Sequence, residues 1–236
     1  MNLNRHYDEA AAAVSTIYGT YLDGLGSTFE HLASGIDSPL RLSQLSAVHL
    51  QSRNTQTVAA IMSVVSAVFR AAVADAATAA AGGNNVRLQE DLRAYLAGAL
   101  EAFQDMLTRA ASRDQAGVSQ TLRQIALRRH LGGSGKRIKP AFLQVDAAGR
   151  RRDSIDYLSL AARGLIVRAV VETFVFVGYE AGHREFVAIY PNDPEHRHNG
   201  ARFGVAGARR VVMSFNEALA DIFHPNTGAV PALKEA

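Results

Sequence analysis

From Val14 to Leu127 apolar residues return every three or four positions, and only a few breaks interrupt the pattern. That spacing places them on one side of a helix with 3.6 residues per turn, so the front of the chain is confined to helices that must pack on one another. The first stripe comprises Val14, Ile17, Tyr18, Tyr21, Leu25, Phe29 and Leu32, and it ends at Gly35 and Ser38-Pro39. One or two helices are expected over 39–81, with Leu42, Leu45, Val48, Val58, Ile61, Val64, Val65, Val68, Phe69 and Val73 as the buried set. Much of 58–81 is alanine and valine on nearly every face, which calls for burial on several sides, in a bundle or in an assembly.

Gly82-Gly83-Asn84-Asn85 is a turn, and a third helix is expected over 86–111. Ser112 to Asp114 would break it, leaving a short fourth helix with Val118, Leu122, Ile125 and Leu127. Short connections favour antiparallel neighbours. Leu131-Gly-Gly-Ser-Gly marks a flexible boundary, and beyond it the texture changes. The expected fold class is α+β: a helical region over 1–131, a basic glycine-rich linker and strand over 132–153, and a small α+β domain over 154–236.

In that back part Pro140 to Val145 reads as a strand, Asp146 to Asp153 as an arginine-rich turn, and Ser154 as a helix N-cap. Residues 165–182 support two readings. Alternation and β-branching in Val170 to Tyr179 suit a strand paired with Phe186 to Tyr190, whereas Arg168 and Glu172 at i, i+4 suit a helix continuing from 154. Val211 to Phe223 would hold a last strand or helix, and the tail from Pro225 is read as irregular.

Composition narrows the function classes. An apolar fraction of 48% with 20% charged residues is globular rather than disordered, and the absence of cysteine excludes disulfides and thiolate metal sites. The N-terminal MNLNRHYDEA has no basic stretch leading into an apolar run, so no signal peptide is expected. The longest apolar run is read at 165–179, too short and too charged to span a membrane, so a soluble protein made in the cytoplasm is expected.

Charge is segregated along the chain. Residues 1–135 carry 11 basic and 11 acidic residues, and 136–236 carry 14 and 11. Arg128, Arg129, Lys136, Arg137, Lys139, Arg150, Arg151 and Arg152 face only Asp146 among acids between 128 and 152. Such an excess can neutralise several phosphates and bind nucleic acid in a salt-dependent way; the alternative is a solvated linker. Gly132-Gly-Ser-Gly-Lys136 lacks the spacing of a phosphate loop.

His183, His196, His198 and His224 gather with Asp193 and Glu195. His196 and His198 are candidate zinc or manganese ligands if a carboxylate converges on them. In a nuclease-type toxin or effector, His183, His196, His198, Glu195 and Arg202 would supply acid–base groups and a phosphate clamp. No cofactor is called for by the sequence.

The back half also carries a resemblance. Asp146-Ala-Ala-Gly149-Arg150, Tyr157, Ala162-Arg163-Gly164 with Arg168-Ala169, a glycine nineteen positions after Arg163 at Gly182, and His224-Pro225-Asn226 together resemble bacteriophage minor capsid proteins of the head-morphogenesis (Mu F-like) group over about 142–230. Gly164 stands where that family usually has threonine, His196 and His198 stand near two cysteine positions, and 170–179 is more apolar than usual. The resemblance implies a non-enzymatic structural role in the virion at the portal end of the head. It also implies one helix from Ser154 to Gly182 and contacts with virion proteins and DNA. From the residues alone, self-assembly or partner binding through 39–81 is expected, and a helical adaptor module with no phage connection is the further alternative.

Overall fold

The structure, a computed structural model, describes residues 3–35, 39–84, 86–133, 138–204, 222–226 and 228–234. Its elements are α1 (Asn4–Gly35), α2 (Pro39–Ala80), α3 (Glu90–His130), β1 (Leu143–Val145), β2 (Arg151–Asp153), α4 (Ser154–Glu180), β3 (Glu185–Ile189), β4 (Arg202–Gly204) and β5 (Val230–Leu233). About two-thirds of the described residues are helical, and two small antiparallel sheets follow the first three long helices, so the fold is α+β.

Several expectations change. The break at Ser112 to Asp114 does not occur: α3 is one helix of 41 residues. The tail past Pro225 is not irregular throughout, because Val230–Leu233 pairs with β3 from Phe186↔Leu233 to Ile189↔Val230. The helix cap before α4 is Asp153 rather than Ser154, with Asp153 Oδ1 accepting the Ile155 amide at 2.8 Å. Most of the expected run Val211 to Phe223, and the side chains of Leu42, Leu45 and Val48, lie outside the described residues.

The chain divides into two compact units, each drawn from separated stretches. The first comprises Met1–Ala12, Val64–Phe103 and Ser159–Ala236; the second comprises Ala13–Ser63 and Gln104–Leu158. The four helices therefore each contribute to both.

In the first unit α4 is the core element. Ile166, Val167, Val170, Val171, Phe174 and Val175 are all buried, so apolar contacts surround it. Burial over most of the helix circumference, with no neighbouring strand for 165–179 to pair with among the described residues, leaves the helix to satisfy the backbone, and packing overrides β-propensity. Gly182, at φ +98°, stops the helix. The His183 amide donates to the Gly178 carbonyl at 2.9 Å and the Gly182 amide to Tyr179 at 3.0 Å.

The sheet, in the order β4-β3-β5, lies against this helix through Phe186. A Cβ on Gly178 would stand 2.7 Å from Phe186 Cε1, so the glycine permits the approach. The start of α3 runs antiparallel to the end of α4, with Gln89 bonded to Glu180 and Tyr95 to the buried Glu172.

α2 is covered less completely. Val58, Ile61, Val65, Val68, Phe69 and Val73 are buried as expected, but Val64 is exposed, and so are Ala67, Ala71 and Ala74. By length and composition Arg53–Ala80, rather than 165–179, is long and apolar enough to cross a membrane, and 39% of its most apolar window is buried.

Candidate functional site

The basic segment is built on a hairpin in the second unit. β1 and β2 pair in the register Leu143↔Asp153, Gln144↔Arg152 and Val145↔Arg151. Between them Asp146 organises the turn. Its Oδ1 accepts the amides of Ala148 at 3.0 Å and Arg150 at 2.9 Å, and its Oδ2 accepts Nε of Arg150 at 2.9 Å and of Arg152 at 3.0 Å. Gly149, at φ +77°, supplies the left-handed residue that closes the loop. The Arg150 amide and then the Arg152 side chain hold the Asp146 carboxyl below the ordinary carboxylate range, down to about 2.

Two of the eight predicted basic residues are therefore drawn onto one carboxylate. Arg151 points to the opposite face of β2, on the side of the exposed Leu143 and Val145. Arg128 and Arg129 close α3, where Arg129 donates to the Ala33 carbonyl at 2.7 Å. Lys139 is exposed, and Lys136 and Arg137 lie outside the described residues. The open face of the hairpin thus mixes cationic and apolar groups. Leu127 and Leu131 are also exposed beside Arg128 and Arg129 in sequence. Such composition suits contact with protein as well as phosphate.

What holds the hairpin down is a buried polar network that sequence reading passed over. The Tyr18 hydroxyl donates to Asp114 Oδ2 at 2.7 Å, while the Ser154 hydroxyl and the Gln144 amide donate to Oδ1 at 3.0 and 3.1 Å. Gln144 also donates to Ser154 at 3.0 Å and accepts from Arg113 at 3.3 Å. Tyr18, Asp114, Gln144 and Ser154 are all buried. Burial first raises the Asp114 carboxyl, and the hydrogen bonds from Tyr18 and Ser154 oppose it. Burial, then the neighbouring Asp114 carboxylate, pushes the Tyr18 phenol far above its ordinary range. A second tie sets Tyr21 against Asn54 and the Ala111 carbonyl, with Asn54 donating to Gln115 at 2.6 Å.

The histidine loop, in the first unit, does not converge in full. His183 precedes β3, whereas His196 and His198 follow it, and a five-residue strand spans about 17 Å. Arg202 opens β4 opposite Val187, and Glu195 is exposed. His196 and His198 adjoin, with ring centroids 5.6 Å apart.

The His196 ring stacks on the buried Tyr190 at 3.9 Å, and its Nδ1 accepts the His198 amide at 3.2 Å. One imidazole lone pair is thereby used in the turn. Asn199 ties the loop further, accepting from the Tyr190 amide and donating to the Pro194 carbonyl. Among the described residues no group of three His, Asp or Glu side chains is placed to hold a metal ion. No protein-family profile, curated protein or solved structure matches this chain significantly.

Proposed function

We propose that this chain is a structural protein of a phage or prophage virion, acting in head or portal assembly through contacts with other virion proteins and with DNA. One observation carries the reading. The motif pieces on which the resemblance rests are separate along the sequence, and two of them meet in the first unit. Pro225 of His224-Pro225-Asn226 packs on Gly164 of Ala162-Arg163-Gly164, where an added Cβ would stand 3.1 Å from Pro225 Cγ. A glycine in place of the family's usual threonine is thus matched by a proline filling its space. The neighbouring Arg163 pairs with Asp8 at 3.3 Å.

The Asp146–Arg150 turn supports the same reading, since the motif aspartate and arginine bond each other directly. Self-association would use the exposed alanine face of α2, and DNA would meet Arg128 at the end of α3 and Arg151 on β2. The nuclease alternative needs His183 beside His196 and His198, and the geometry separates them.

The test is protein mass spectrometry on purified particles released from cells that carry this gene. The chain is expected in intact particles and retained after nuclease treatment. Particles that assemble normally without it would sink the proposal.

A further inference from the structure

Between α2 and α3 of the first unit runs a groove of about 400 Å³ with an apolar floor of Phe69, Val73 and Ala77 from α2 and Leu96 and Leu100 from α3. Arg70 and Arg93 stand at its rim. Beside it α2 exposes Ala67, Ala71 and Ala74, and α3 exposes Arg93, Ala97, Gly98 and Glu101. A Cβ on Gly98 would meet nothing within 4 Å. Among the described residues Arg70, Arg93 and Glu101 make no ion pair. The rim thus joins an uncovered apolar floor to uncommitted charges of both signs.

The order of those charges selects the occupant. Arg93, Ala97 and Glu101 are four residues apart, so they form one row on α3 with opposite charges placed evenly about a small residue. Such a row complements itself when two copies lie antiparallel about a two-fold axis, because residue i then meets j and j meets i. An acidic peptide or an acyl carboxylate would answer the arginines and leave Glu101 facing a like charge.

We infer that this groove is a two-fold interface with a second copy of the chain, centred on Ala97, in which Arg93 of each copy pairs with the partner's Glu101. Ala97 and Gly98 let the two α3 axes approach closely, and the partner helix covers the apolar floor. This surface deepens the self-association in the proposed function, yet its test is independent of any particle.

The experiment is sedimentation equilibrium of the full chain, up to on the order of 100 μM. The expected mass is twice 25.3 kDa. Arg93→Glu alone and Glu101→Arg alone each place like charges face to face and should weaken the dimer about tenfold or more. The double variant, Arg93→Glu with Glu101→Arg, recreates the pair and should recover most of the affinity. Far-UV circular dichroism identical to wild type establishes that each variant is folded. A monomeric wild type, single variants without effect, or a double variant as weak as the singles would overturn the inference. So would a native mass spectrum of a monomer carrying an acyl ligand, which would assign the groove to that ligand. Absence of the chain from virions leaves this mass unchanged, so the two readings fail separately.

Discussion

Each of the two compact units has its own kind of interior. The first wraps rings and branched aliphatics around α4: Phe186 stacks on Phe203 at 5.7 Å and meets Phe174 edge-on at 6.2 Å, and Phe203 meets Phe223 edge-on at 5.2 Å. The second also has an apolar core, but its centre carries the Tyr18–Asp114–Gln144–Ser154 network. Apolar contacts are non-directional and tolerate small shifts, whereas a buried polar network is stable only while each member keeps its partner. The aromatic cluster of the first unit should therefore respond to changes of volume, and the centre of the second, at Asp114, to loss of a single donor or acceptor and to pH.

The largest expected effect tests the first half of that contrast. Gly178→Ala forces a Cβ against the Phe186 ring and should destabilise by about 2 kcal/mol after the gain in helix propensity. In hydrogen-exchange mass spectrometry the loss of protection should fall on β3 and α4. Equal loss around Asp114 would break the distinction between the units.

Asp114→Ala, which orphans Tyr18, Gln144 and Ser154 together, should cost about 2 kcal/mol in urea denaturation. Asp114→Asn keeps the shape and should cost roughly half as much. If both variants match wild type, the network is not what holds the hairpin.

The pH response sharpens the comparison. Because burial raises Asp114, the folded state binds its proton more tightly than the unfolded chain. The penalty for the buried charge is present at neutral pH and is relieved as pH falls through the raised pKa toward the ordinary carboxylate range near ~4. Wild type should thus gain stability over Asp114→Asn between pH 7 and pH 4. A constant difference across that range would count against the assignment. Asp146 has the opposite sign: its stabilisation is present above ~4 and is lost as pH falls toward about 2, visible as an NMR shift of the Ala148 and Arg150 amides.

The smallest structural effect belongs to Arg151→Ala, which should leave folding within about 0.5 kcal/mol. If the hairpin meets DNA, the same change should lower the salt slope of binding by about 1, and Arg150→Ala should do less because Asp146 already holds that side chain. Equal slopes for the two variants would remove the difference drawn between the faces of β2.

The sequence by itself determined the helical front before Leu131, the turn at Gly82-Gly83 and the mixed α+β class. Each depends on local periodicity or on a backbone conformation that glycine adopts readily. It could not decide 165–182, where alternation and motif spacing disagreed. That segment is a helix because other elements cover most of its sides, and such covering is invisible along one stretch of chain. Ser112 to Asp114 misled for a related reason. Serine and aspartate break helices when their side chains compete for the backbone, but Asp114 is engaged by Tyr18, Ser154 and Gln144, which lie far from it in sequence. The alanine face of α2 was legible as apolar, yet its partial exposure was not. Hydrophobicity is a property of the residue, and burial depends on which neighbours the fold brings to it.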